Sequence, residues 1–114
     1  MKDDRFHLMY IAERIQRIES YTRDGRDAFM KSSMTQDAVV WNFEIIGEAA
    51  KRLSRGLVQT HPDVPLRQIA GLRDVLIHDY IGVDLDEVWS IIEQDLSDLK
   101  RKVEAILQEL GGSA

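Results

Sequence analysis

Apolar residues recur at spacings of three and four at both ends of this chain, and that period admits one regular structure. Leu8, Ile11, Ile15 and Ile18 mark an amphipathic helix over about residues 3–23. Leu85, Val88, Ile92, Leu96, Leu99, Val103, Ile106 and Leu110 extend the same pattern, nearly unbroken, to the C-terminal end. A half-buried strand needs a period of two, and no stretch shows it. A helix with one apolar stripe must bury that stripe against other helices. The expected fold is therefore all-α: an antiparallel bundle of four to five helices joined by short connections.

The breaks between helices are written in turn residues. Asp24-Gly25 ends the first helix, and residues 26–31 can add a short turn. Thr35 is the expected N-cap of a second helix, with Ala38, Asn42, Ile45, Ile46, Ala49 and Leu53 as its inward stripe. Lys51, Arg52 and Arg55 then fall at its C-terminal end, where the helix dipole favours cations. Thr60-His61-Pro62-Asp63-Val64-Pro65 is the clearest break, because proline disfavours helical geometry in the residue before it. Pro65 can occupy the first turn of a third helix running to about Tyr80. Gly82 interrupts, and Asp84 or Asp86 starts the long fourth helix. Its regular stripe exceeds what one small bundle needs, so part of it is expected to meet a second subunit. Residues 1–110 read as one domain, and 111–114 as a flexible tail.

Composition narrows the chemistry. The chain has no cysteine, which excludes disulfides, thiolate catalysis and cysteine-bound zinc. No Glu-x-x-His pair is present, so the di-iron sites of some four-helix bundles have no ligand set. No metal or cofactor is expected. The longest apolar runs are too short to cross a membrane, and Met-Lys-Asp-Asp-Arg lacks the core of a signal peptide, so the cytoplasm is the expected location. A net charge of −5 argues against a surface that tracks a long stretch of phosphates. Contact with a nucleic acid would be confined to a locally positive cleft, or completed by a partner.

Residues 73–80 read Arg-Asp-Val-Leu-Ile-His-Asp-Tyr, with Arg73, His78 and Tyr80 in the spacing Arg-x4-His-x-Tyr. Phosphodiester chemistry can use all three: a fixed cation, a titratable acid or base, and a phenol that positions either. On a helix the neighbours of Arg73 at three and four residues are Ile69, Ala70, Leu76 and Ile77, all apolar. A guanidinium there must find a partner, a pocket or an interface. Asp74 is four residues before His78 and can orient its imidazole, or simply pair with it on the surface. On an ideal helix Tyr80 shares the face of Arg73 about 10 Å along the axis, whereas His78 is roughly 140° round. Either the helix loosens at His78-Asp79, or Arg73 of one subunit meets His78 of another. A composite site at a twofold interface is the favoured arrangement. His7 and His61 read as surface residues.

With these residues the chain resembles the HEPN superfamily, and GLRDVLIHDYIGVDLDEVW resembles its HepT branch. Ile46-Gly47-Glu48-Ala49, preceded by Asn42, is a second match. The resemblance spans nearly the whole chain. It implies a homodimeric, metal-independent endoribonuclease, the toxin of a type VII HEPN/MNT toxin–antitoxin system, acting on RNA through Arg73, His78 and Tyr80. It further implies an MntA-type nucleotidyltransferase antitoxin that attaches AMP to Tyr80. Asn42 and Glu48 are supporting candidates: Asn42 either ties two helices or supports the cleft, and Glu48 either does likewise or pairs with Arg52. Gly47 costs roughly 1 kcal/mol in a helix against alanine, which a close helix approach would offset. The alternative is a non-catalytic helical accessory subunit of a nucleotidyltransferase.

Overall fold

The first helix, α1 (Lys2–Tyr21), opens with Asp3 and Asp4 against its N-terminal dipole. In the computed structural model, which describes residues 2–71, 77–78 and 82–111 (of Lys2, Ile77 and His78 the backbone only), α1 runs through the middle of the core. Leu8, Ile11, Ile15 and Ile18 are completely buried there, against the helix at Ser33–Lys51 on one side and the helix at Leu96–Glu109 on the other. Asp4 is 3% exposed, an unfavourable place for a carboxylate unless its oxygens are occupied. Both are. Ser54 donates its backbone N–H to one at 2.8 Å and its hydroxyl to the other at 2.6 Å.

Gly25, at φ +95°, turns the chain into α2 (Arg26–Lys31), whose Phe29 is buried against the ring of Trp89. The next helix, α3 (Ser33–Lys51), starts earlier than the sequence suggests. Its N-cap is Ser32, whose hydroxyl accepts the Thr35 N–H at 3.1 Å. Thr35 is thus the residue being capped, a three-residue displacement that its preference for caps could not reveal. The inward face of α3 is Val39, Asn42, Phe43, Ile46, Gly47, Ala49 and Ala50, while Ala38 and Ile45 lie at its margins.

Beyond Arg52 the chain forms another short helix, α4 (Arg55–Thr60), capped by Ser54. Arg55 therefore stands in the first turn of α4 and does not end α3. Pro65 precedes α5 (Leu66–Ala70), which buries Leu66 and Ile69. The helix expected to run on to Tyr80 is not continuous: Ile77–His78 (β1) is extended and pairs antiparallel with Gly82–Val83 (β2), Ile77 opposite Val83 and His78 opposite Gly82. Gly82, at φ +93°, makes the return possible at a backbone angle that side chains disfavour. One two-residue pairing is thus set into an otherwise all-α bundle, as expected from the period.

Asp84 caps α6 (Leu85–Gln94), its carboxylate accepting the Glu87 N–H at 3.1 Å. The single long C-terminal helix is in fact two, with α7 (Leu96–Glu109) beginning after Asp95, where φ opens to −117°. Asp95 N still bonds the Ile91 carbonyl and Leu99 N the Asp95 carbonyl, so the chain bends there without losing its direction. Val88 and Trp89 of α6 and Leu96, Val103 and Ile106 of α7 are buried. Leu85, Ile91, Ile92, Leu99, Leu107 and Leu110 are partly buried and pack against that core. No helix among them is long and apolar enough to cross a membrane.

Candidate functional site

Gly47 brings α3 and α5 together. A Cβ added there would stand 3.3 Å from the Ile69 carbonyl and 3.6 Å from that of Ala70. That approach fixes the entry to the segment carrying the signature, and the β1–β2 pair with the Asp84 cap fixes its exit. The exit is tied further by Arg26, which reaches from α2 to Asp86 at 2.8 Å, although the pair is exposed and adds little. Arg73, Asp74 and Tyr80 themselves lie outside the described residues, as does the side chain of His78. The His78 backbone is described, and it is extended. The constraint of an ideal helix, which would turn His78 about 140° from Arg73, does not hold at this position.

Of the supporting candidates, Asn42 is 3% exposed, with both ends of its amide engaged. Its Oδ1 accepts from the Arg14 guanidinium at 3.2 Å, and its Nδ2 donates to the Ala38 carbonyl at 2.8 Å. Arg14 in turn donates to the Tyr10 hydroxyl at 2.8 Å and lies 4.8 Å over the Tyr10 ring. Asn42 thus joins α3 to α1. Arg14 Nε is buried with no partner among the described residues, so this guanidinium depends on Asn42 and Tyr10. The sequence reading missed Arg14 and Tyr10. Their i, i+4 spacing beside the Ile11–Ile15–Ile18 stripe was the available signal.

Glu48 is exposed and stands 3.7 Å from Lys51, one residue short of the expected Arg52. The structure does not bring it to Asn42. His61, expected at the surface, is a joint: Nδ1 faces the Leu57 carbonyl at 2.9 Å and Nε2 faces Glu109 at 3.0 Å, tying α4 to the end of α7. The Glu109 hydrogen bond first, and the Leu57 carbonyl second, raise its pKa above the ordinary 6.5.

A cleft of about 770 Å³ opens between α5 and the α6–α7 bend. Its described walls carry Arg67 and Lys102 against Asp63, Glu87, Asp95 and Asp98. Lys102 is already engaged with the Asp63 carbonyl at 3.0 Å and with Asp98 at 3.2 Å. Arg101, followed by Lys102, holds the Asp98 carboxyl below its usual range and therefore charged. The described walls thus carry more carboxylates than cations. Among the described residues no three His, Asp or Glu side chains gather as a metal site.

A helical bundle whose fifth helix abuts the Gly47 helix and leads into an Arg-x4-His-x-Tyr segment is of the HEPN class. The chain matches the family described as ribonuclease HepT-like over residues 11–106, and it belongs to that family. It is 41% identical over 101 residues to the "Probable ribonuclease HepT" of Thermococcus cleftensis, covering 88% of this chain and 92% of that protein. A Methanocaldococcus jannaschii protein, named as a gamma-glutamylcyclotransferase and, provisionally, an RNase, is 40% identical over 110 residues. That match takes in 96% of this chain but only 50% of the relative, so the chain spans half of that relative's length. A provisionally named RNase of Caldanaerobacter subterraneus is 36% identical over 96% of this chain and 98% of its own. No solved structure gives a significant match.

Proposed function

We propose that this chain is a metal-independent endoribonuclease, working in the cytoplasm as the toxin of a type VII HEPN/MNT toxin–antitoxin pair. The observation that carries the reading is the family match, which spans every residue of the signature. In the reaction the ribose 2′-oxygen attacks the adjacent phosphorus and the 5′-oxygen leaves. The products are a 2′,3′-cyclic phosphate and a free 5′-hydroxyl. His78 takes the 2′-proton or supplies one to the leaving oxygen, a contribution of about 10²–10⁴-fold. Arg73 meets the charge that grows on the phosphoryl oxygens, and Tyr80 positions the phosphate or the base. Asp74 orients His78. DNA lacks the 2′-hydroxyl and is spared.

The acidic described walls of the cleft suit a site in which the cations come from the signature itself and from a second copy. In this reading Arg73 of one copy works with His78 of the other. The partner nucleotidyltransferase silences the site when the Tyr80 oxygen attacks the α-phosphorus of ATP, losing its proton as pyrophosphate leaves, and the AMP left on Tyr80 places a phosphate charge and a bulky nucleotide where RNA must enter.

Total RNA treated with wild type and with His78→Ala in EDTA, with product ends mapped, tests the chemistry. Wild type should cut and leave cyclic phosphate, and His78→Ala should not. Equal cutting by both removes His78 from the chemistry, and 5′-phosphate ends made only with magnesium overturn the mechanism. Intact RNA with Tyr80 unmodified by mass spectrometry favours the non-catalytic accessory subunit. Intact RNA with AMP on Tyr80 identifies a neutralised toxin.

A further inference from the structure

The cleft between α5 and the α6–α7 bend joins an apolar lining to charge that nothing nearby matches. Val58, Leu66, Ile91 and Leu99 line it, together with the exposed Pro62 and Pro65. Its 770 Å³ falls within the roughly 300–1,000 Å³ of sites that enclose most of a ligand. Of its charged side chains, Asp98 and Lys102 are spoken for, since Asp98 pairs with both Lys102 and Arg101. That leaves Asp63, Glu87 and Asp95 against Arg67. Among the described residues, Glu87 and Asp95 make no hydrogen bond or ion pair through their carboxylates, and the Arg67 guanidinium makes none either. The Asp63 carboxylate makes none, and only adds its charge to the surroundings of His61. Three exposed carboxylates thus stand over an apolar lining with one cation among them.

That pattern selects the occupant. A single metal ion needs its carboxylates gathered, and among the described residues no three acidic or histidine side chains gather. These three come from separate places: the loop before α5, the first turn of α6 and the bend at its end. A strand of RNA adds to the negative surplus, and so does a second copy of a chain with net charge −5. What matches is a body with several separate cations and apolar groups between them. Lysine and arginine carry their charge on apolar stems, so they suit a rim of carboxylates above an apolar floor. We infer that this cleft docks a segment of a different protein in which lysines or arginines alternate with large apolar residues. The inference goes beyond the nuclease reading and does not rest on it.

The probe is a fluorescent peptide of six residues, alternating leucine and lysine, titrated with the whole chain and followed by anisotropy. Binding should saturate and weaken as salt rises. Glu87→Gln/Asp95→Asn should weaken it roughly fivefold or more. Arg67→Glu removes the free cation and adds a carboxylate, so it should tighten binding severalfold, a gain that no misfolded variant can imitate. A peptide with serine for leucine should bind at least roughly tenfold more weakly to wild type. Absence of saturable binding, or equal binding by wild type and both variants, overturns the inference. So does a serine peptide, or spermine, that binds as tightly as the leucine peptide, because charge alone would then suffice. An RNA strand released by Arg67→Glu, with the peptide unaffected, gives the cleft to RNA instead. Cleavage of RNA by the same proteins is read separately. A chain that cuts RNA and ignores the peptide loses this inference alone, and one that binds the peptide and never cuts loses the nuclease alone.

Discussion

The two tryptophans stand in opposite circumstances, and the contrast divides the bundle. Trp89 on α6 is 9% exposed, its ring 5.5 Å from that of Phe29, and its indole N–H finds no partner among the described residues. Trp41 on α3 is 60% exposed on the edge of an open groove. Around Trp89, α6 and α7 turn their large apolar residues inward. Around Trp41, α3 and its neighbour α1 fill the core and still carry rings on the outside. The spacing of three and four is the same in both regions. It tells which residues share a face, and only the packing tells whether that face is covered.

The largest test of this division is to truncate each ring. Trp89→Ala should cost about 3–5 kcal/mol in urea denaturation, since it empties a core position. Trp41→Ala should change the stability of dilute protein by less than about 0.5 kcal/mol. Equal costs for the two rings would end the distinction.

Next comes the polar joint between α1 and α3. Asn42→Ala removes the acceptor that holds Arg14 and should cost about 1–3 kcal/mol, because a partly buried guanidinium loses its partner. Glu48→Ala, on the exposed side of the same helix, should stay within about 0.5 kcal/mol. A ranking in the other order would show that α3 is held from its outer face.

Gly47→Ala sharpens the comparison from a third side. Alanine's better helix propensity would by itself add about 1 kcal/mol, but its methyl would press on the Ile69 carbonyl at 3.3 Å. The expected net result is a loss of about 1 kcal/mol, with RNA cleavage falling further than the fraction unfolded explains. A stabilised, fully active variant would show that α5 gives way freely and that the close approach does not position the signature.

The smallest effect belongs to His61. Its folded pKa is raised, so the tie to Glu109 is fully present below the ordinary 6.5 and is lost as pH rises through the folded value. Glu109 is largely exposed, so the difference in stability between wild type and His61→Gln should shrink by only a few tenths of a kcal/mol between about pH 5.5 and 8. A difference that grows with pH would reverse the sign assigned to this joint.

Much of the helical architecture was legible in the sequence because burial imposes a period, and the stripe from Leu8 to Ile18 is the clearest case. The parts that were not legible share a cause: they depend on contacts between residues far apart. Ser32 and Thr35 are both good caps, and which one serves depends on where the chain leaves α2. The break at Asp95 falls inside an unbroken stripe, so periodicity passes straight over it. Nothing near Ile77 forecast its pairing with Val83, because that pairing rests on the glycine turn at residue 82. In the site, Arg73, His78 and Tyr80 were legible as chemistry, from residue type and spacing. The Arg14–Asn42 contact was not, since its partners are 28 residues apart and neither is unusual alone. Glu48 could be read only as a helical neighbour, and its exposed place beside Lys51 is what the fold added.

The bond between Asp4 and Ser54 has a practical consequence for handling the chain. Ser54 spans the joint between α3 and α4 only while a carboxylate from fifty positions earlier occupies its N–H and hydroxyl. Trimming the first four residues would therefore loosen a turn deep in the primary structure while leaving nearly all of α1 in place. An affinity tag fused directly ahead of Asp4 has to leave that carboxylate room to reach inward. Purification strategy and the register of the middle of the molecule are thus linked through one side chain.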